Sequence, residues 1–243
     1  MIPKDHPRYR SLKVREHLAR CAAEGILSLE GLTAHGRGEA FDYLIGEKTM
    51  ESALRAERAA AALLLCAERP VISVNGNTAA LAAGSIALLQ QASNAAVEVN
   101  LFHRTEERIR KITTLLERHG VTVLEGIPER LLPLSHDRAL CLPRGIGSAD
   151  VVLVPLEDGD RCQALVDVGK TVIAIDLNPL SRTAMTATLT IVDEVTRAIP
   201  QVTRFCRALT REEVQLCATG YENRELLRSA IREIQLRLDH ALD

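Results

Sequence analysis

The chain has 243 residues, 47% hydrophobic but only 2% aromatic, and 30 Lys+Arg against 32 Asp+Glu leave a net charge of −2. Near-neutrality removes any global electrostatic reason to bind nucleic acid or an anionic membrane. With no Trp, three Phe and three Tyr, an aromatic stacking platform for single strands is not expected. The apolar residues are mainly Ala, Leu, Val and Ile, ample for a buried core. In chain order, residues 11–24 read as a helix with an apolar stripe of Leu12, Leu18, Ala19 and Ala22, closed by Gly25. A short helix is expected around Glu30, followed by a glycine-punctuated stretch from Ala34 to Gly46. Residues 50–68 are a strong Ala-rich helix, broken by Pro70.

From Val71 the pattern changes to alternating strand and helix. Strands are expected at 71–74, 96–101, 121–124, 149–154, 171–175 and 189–192. Helices are expected at 79–93, 105–119, 160–168, 194–209 and 222–242, and residues 128–147 read as an irregular connection. Continuous β-branched strands between helices imply a parallel sheet covered on both faces. The expected fold is therefore α/β: a Rossmann-like doubly wound sheet of about five strands with helical additions at both ends. As a single domain, residues 1–68 form a helical N-terminal segment, 69–200 the core, and 201–243 the C-terminal helices.

The opening Ile2-Pro3-Lys4-Asp5-His6 lacks the apolar run of a signal peptide. The longest apolar stretch, residues 59–67, is too short to span a bilayer. A soluble, cytoplasmic protein is expected. Its six cysteines show no CxxC pair and no metal spacing, so they are expected to be reduced and semi-buried.

In an open α/β sheet, ligands bind beyond the carboxyl ends of the strands. Polar residues follow five of the strands. They are Asn75 and Asn77, then Asn100 with His103 and Arg104, then Glu157, Asp158, Asp160 and Arg161, then Asp176, Asn178, Ser181 and Arg182, and finally Asp193 and Glu194. Convergence from five places marks a site. No P-loop and no dinucleotide glycine fingerprint is present, which disfavours a P-loop NTPase and an ordinary dehydrogenase. Asn75-Gly76-Asn77 either presents backbone N–H groups to an anion or is a capped strand-to-helix turn. Arg104 joins Asn75 and Asn77 as a substrate-binding candidate. In the stretch His35-Gly36-Arg37-Gly38-Glu39, Arg37 suits a phosphate because its planar fork donates bidentately. Glu157, Asp158 and Asp160 place three carboxylates within four residues. Such like charges repel unless a cation sits among them, which points to Mg2+ on Asp158 and Asp160, or else to a plain helix cap. Asp176 suits ribose hydroxyls and Asn178 an adenine edge.

These motifs also carry a resemblance. The run from Ala34 to Thr49 is similar to the signature of the archaeal phosphopantothenate synthetases. Val74–Asn77, Asn100–Glu106, Val154–Arg161 and Ile175–Arg182 resemble the same family in the same order, as does the opening Ile2-Pro3-Lys4 with His6-Pro7-Arg8-Tyr9. The likeness covers nearly the whole chain and is weakest at 128–148 and after Leu209. It implies an ATP-dependent ligase of coenzyme A biosynthesis that joins 4-phosphopantoate and β-alanine. The acid is activated as an acyl-adenylate, diphosphate and then AMP are released, and the enzyme is a homodimer. The family's nucleotide-binding positions fall on Arg15, Arg37, Asp176, Leu177, Asn178, Arg182, Thr183, Glu194 and Val195. Glu194 stands where some relatives carry an uncharged Asn, so a backbone contact is the one expected to survive there. Arginines and Mg2+ offset the several negative charges of the two substrates. His35, Glu157 and Asp158 are the candidates for the proton acceptor in amide formation, and sequence does not choose among them. The competing readings are a nucleotide-binding oxidoreductase on the same fold and a non-catalytic phosphometabolite-binding module.

Overall fold

A computed structural model describes residues 2–241. Three helices, α1 (Tyr9–Ala23), α2 (Leu29–Ile45) and α3 (Glu51–Cys66), precede the first strand. Then come β1 (Pro70–Val74), α4 (Gly76–Ser93), β2 (Ala96–Val99) and α5 (Glu106–Arg118). A small hairpin-like pair, β3 (Glu129–Arg130) and β4 (Leu140–Cys141), interrupts the alternation. It resumes with β5 (Val151–Pro155), α6 (Gly159–Asp167), β6 (Thr171–Ile175), α7 (Arg182–Thr186), β7 (Leu189–Ile191) and α8 (Val195–Ala208). The last helices are α9 (Arg211–Thr219) and α10 (Asn223–Asp239).

The main sheet is fully parallel, in the order β2-β1-β5-β6-β7. Its two faces sort by the strand period of two. Ile72, Val74, Leu153, Ile173 and Ile175 face a core shared with α1, α3, α4, α5 and α8. Val71, Val152, Val154, Val172 and Ala174 face a second core made with α6 and the segment around Leu132–Ala149. The expected doubly wound α/β architecture with helical additions is therefore what forms. The direction of strand order reverses between β1 and β5, which opens a crevice at the carboxyl edge there. Among the described residues no helix is long and apolar enough to cross a membrane.

Several local expectations are corrected. The short helix expected around Glu30 takes in the whole glycine-bearing stretch. Ser28 caps α2 by accepting the Gly31 N–H (3.2 Å), and the helix runs unbroken through His35 and Arg37 to Gly46, whose φ of +85° ends it. Gly31 near its start serves close packing: a Cβ there would meet Asn77 Oδ1 at 2.5 Å and Leu27 Cδ1 at 2.7 Å. Residues 121–124 are not a strand, because only Val123 bridges to Val97. The C-terminal region holds one more helix than expected, α9, started by a reciprocal capping box between Thr210 and Glu213. The expected end of the last helix at Leu242 lies outside the described residues. For the connection read as irregular, 128–147, β2 supplies the anchor. Glu98 is buried and accepts the N–H groups of Leu142 (3.0 Å) and Ile146 (2.7 Å).

One buried acid should make stability depend on pH. Glu57 of α3 is fully buried beside Asp193, which follows β7. Burial first, then the charge of Asp193, push its pKa from 4.5 up to about 9. Over that interval the folded chain holds a proton the unfolded chain has released, so this group's contribution falls as pH rises. In a thermal melt series from about pH 6 to about pH 9, Glu57→Gln should flatten the decline while leaving the melting temperature at the low end within about 2 °C of the parent. Parallel curves for the two proteins would contradict the assignment.

Candidate active site

A cavity of about 700 Å3 opens where the sheet predicts it, at the carboxyl ends of β2, β1, β5 and β6, roofed by the middle of α2. That volume is within the range of small-molecule clefts. One end is built by the turn after β6. Asp176 accepts the Asn178 N–H at 2.9 Å and also bonds the Ser181 hydroxyl, and burial pushes its pKa up. Asn178 Oδ1 accepts the Leu180 N–H (2.9 Å), which leaves its amide NH2 to donate. Leu177 packs beneath Gly38, and exposed Arg37 faces Asp176. Ser181 caps α7, and Thr183 Oγ1 donates to the Glu157 carbonyl (2.9 Å). Arg182 lays its stem across Gly159, where a Cβ would come within 2.9 Å of it, and pairs with Asp160 at 2.6 Å.

The opposite end is the start of α4. Asn75 is fully engaged: its Oδ1 accepts the Thr78 N–H (2.9 Å), and its Nδ2 donates to the carbonyls of Pro155 and Leu156 (both 3.0 Å). It thereby bridges β1 to β5 across the crevice and braces Leu156, whose φ of +55° is unusual for a bulky residue. Asn77 Nδ2 donates to the Gly31 carbonyl (2.9 Å) and ties α4 to α2. Arg108 reaches over Gly76 and donates to the His103 carbonyl (3.0 Å). His35 lines the roof, and burial lowers its pKa below the ordinary 6.5, so it is neutral at pH 7.

Between the two ends lies a buried charge cluster. Glu157 bonds both Arg138 and Arg161 and also accepts the Asp158 N–H (2.9 Å). Asp158 spends one oxygen capping α6, accepting the Arg161 N–H at 2.8 Å. Its other oxygen lies 3.5 Å from Arg138 Nε. The three clustered carboxylates therefore turn to different partners: Glu157 to Arg138 and Arg161, Asp158 to its cap, and Asp160 to Arg182. Repulsion among them is relieved by arginines, so it calls for no metal. Among the described residues no group of three or more His, Cys, Asp or Glu is arranged to hold one.

The cavity thus brings together His35, Arg37, Asn75, Asn77, Glu157, Asp158, Asp176, Leu177, Asn178, Arg182 and Thr183. It leaves out Arg15, Arg104, Asp160, Glu194 and Val195. Arg15 is held by Glu39 of α2 (Nη2–Oε2 2.7 Å), Glu194 caps α8, and Val195 is buried in the core. The backbone N–H of Arg104 donates to Asp137 (3.3 Å), within the 128–148 segment. Arg138 and Arg108 line the cavity without having been expected there. Arg108 sits in an ordinary amphipathic helix. Arg138 sits in a stretch with no periodicity, and the one signal for it was the charged Glu98 in the middle of an otherwise apolar strand.

A family model described as phosphopantothenate/pantothenate synthetase matches residues 52–237. A curated protein of Methanospirillum hungatei JF-1, named 4-phosphopantoate–beta-alanine ligase, is 62% identical over 243 residues, covering the whole of both chains. A protein of the same name from Methanosarcina mazei is 55% identical over 98% of this chain and 95% of its own. Another, from Thermococcus kodakarensis, is 49% identical over 98% and 93%.

The roof of the cavity is fixed from behind. Arg197 of α8 donates to Asp193 (2.8 Å) and pairs with Asp42 of α2, and Asp193 also accepts from Thr49 (2.6 Å). Arg197→Lys keeps the charge but cannot span both carboxylates. It should lower stability by about 1–2 kcal/mol, seen as about 2–8 °C in the melting temperature. It should also speed hydrogen exchange of the α2 amides, because the helix loses its tie to α8. Unaltered stability and exchange would show that α2 is held by its other contacts.

Proposed function

The chain belongs to the phosphopantothenate/pantothenate synthetase family, and we propose that its amide-forming ligase activity in coenzyme A biosynthesis runs through an acyl-adenylate assembled in this cavity. The substrates are 4-phosphopantoate, β-alanine and ATP. The observation that carries the proposal is the two-ended cavity, with a ribose- and phosphate-compatible turn after β6 at one end and an anion-compatible helix start at the other.

In this reading, Asp176 accepts from the ribose hydroxyls and Asn178 donates to the adenine edge. Arg37, Arg182 and the backbone around Thr183 meet the phosphates. Phosphopantoate lies toward Asn77 and Arg108, so its carboxylate meets the α-phosphate near the β1–β5 crevice. Holding the two reactants in line supplies most of the acceleration, since the step needs no proton transfer. For the second step, His35 is the base best suited to take the amine proton, because it is neutral at pH 7. Glu157 is a poor acceptor, its oxygens being committed to two guanidiniums. Arg15, Glu194 and Val195 stand outside the cavity, and any part they have in nucleotide binding requires a rearrangement or a second subunit.

Mg2+ fits this donor set if it arrives on the nucleotide, where one or two protein carboxylates suffice. Asp158, through the oxygen that does not cap α6, and Asp160 would hold it. When bound it would supply positive charge to the phosphates. A homodimer and a cytoplasmic location belong to the same proposal. Exposed Tyr43 and Leu44 on α2 beside Leu236 and Leu238 on α10 support a subunit interface there.

With both substrates and ATP, mass spectrometry should detect 4′-phosphopantothenate, AMP and diphosphate. Formation of ADP would overturn the adenylate route. Arg37→Ala should reduce kcat/KM by about 100-fold. Its circular dichroism should match the parent, since Arg37 is exposed. Near-normal turnover would remove Arg37 from phosphate binding.

A further inference from the structure

The cluster at the cavity floor joins two guanidiniums to two carboxylates, Glu157 and Asp158. Two guanidiniums, Arg138 and Arg161, share the single carboxylate of Glu157, and both are buried. Arg161 is sealed off: it bonds Ser73 (3.1 Å) and Glu157 and does not reach the cavity. Arg138 does reach it, although only 5% of its side chain is exposed. One of its terminal nitrogens donates to the Asn100 carbonyl (2.7 Å) and the other to Glu157. Its Nε makes no hydrogen bond, the nearest acidic oxygen being Asp158 Oδ2 at 3.5 Å. Asp158 offsets its charge but leaves this N–H without a hydrogen bond of its own beside the cavity, where a ligand oxygen could meet it.

The position matters as much as the charge. Arg138 is tied to the residues after β2 and after β5, so its guanidinium spans the end of β1, where strand order reverses. Arg37 and Arg182 stand at one end of the cavity and Arg108 at the other, and Arg138 is the deep cation between them. It is also held rigidly. Glu98 grips the backbone of Leu142 and Ile146, and Asn100 Nδ2 donates to the Leu140 carbonyl (2.8 Å). A Cβ on Gly145 would collide with the Glu98 carboxylate, so this turn is built to close on it.

We propose that Arg138 binds the carboxylate of the acid substrate and holds it against the α-phosphate of the nucleotide. The proposal rests on the adenylate reading above. In that step a carboxylate oxygen forms the bond to the α-phosphorus while the bond from that phosphorus to the bridging oxygen of diphosphate breaks. The electron pair leaves with diphosphate and no proton moves. A charged donor fixed by Glu157 and Asn100 orients the carboxylate at no further entropic cost. In the second step the amine nitrogen bonds to the acyl carbon, the carbon–oxygen bond to AMP breaks, and the amine proton passes to His35. The same donor then meets the negative charge that develops on the acyl oxygen.

The test is ATP–diphosphate exchange, which reads the first step alone, without β-alanine. Arg138→Lys should cut phosphopantoate-dependent exchange by about 100-fold and raise KM for phosphopantoate at least about 10-fold. KM for ATP and, in the full reaction, for β-alanine should stay within about twofold. Normal exchange with a raised KM for β-alanine would put the amino acid's carboxylate on Arg138 and overturn the proposal, as would unchanged kinetics. If Arg138→Lys fails to fold, Glu98→Gln, which loosens the turn carrying Arg138, should show the same selective pattern at about 3–10-fold. Equal loss for all three substrates would mean a merely structural role. Absence of exchange in the parent enzyme would strike the adenylate reading instead. Arg138 would then be judged by thermal protection: phosphopantoate should protect the parent and not Arg138→Lys, and equal protection would overturn the assignment.

Discussion

The site depends on one buried interaction, the carboxylate of Glu157 held between the guanidiniums of Arg138 and Arg161. Removing one member of such a cluster leaves an uncompensated buried charge, at about 3–5 kcal/mol. The cluster joins elements distant in sequence. Arg161 comes from α6 and reaches back to Ser73 in β1, Glu157 follows β5, and Arg138 arrives from the segment between β3 and β4. Its members meet where the parallel sheet reverses its strand order, so the crevice that any doubly wound sheet opens there acquires a charged floor.

Around that floor the walls are set by hydrogen bonds between backbone and short polar side chains. Asn75 stitches β1 to the residues after β5, Asn77 stitches α4 to α2, and Arg197 with Asp42 holds the rear of α2 to α8. Glycine allows these approaches at two points. Gly31 leaves room for Asn77 and Leu27, and Gly159 leaves room for the stem of Arg182. The result is a cavity whose ends differ in chemistry, acidic and amide groups after β6 and a helix start with Arg108 after β1. In the proposed reading, that asymmetry orders a nucleotide and a phosphorylated acid head to head.

Much of this was legible in the sequence, for physical reasons. Strands buried on both faces read as continuous β-branched runs, and polar residues directly after them fall at one sheet edge, so the fold and the Asp176–Arg182 turn could be read directly. What failed was local. Glycine in His35-Gly36-Arg37-Gly38 hid the full length of α2, because tertiary packing outweighs the helix cost of glycine. The acidic run after β5 read as like charges in need of a cation, because sequence cannot show that Arg138, Arg161 and Arg182 stand among them. Arg138 was hidden because its segment is ordered by contacts with Glu98 and Asn100 across some forty residues rather than by any periodicity of its own.

The measurement that tests the account most directly is a crystal structure with a non-hydrolysable sulfamoyl analogue of the phosphopantoyl adenylate. The account places the ribose on Asp176, the adenine against Asn178, the acyl group at the β1–β5 crevice, and the phosphomonoester toward Asn77 and Arg108. An analogue bound in the reverse sense, with adenosine against Phe102 and His103 and the phosphate at Asp176, would contradict it.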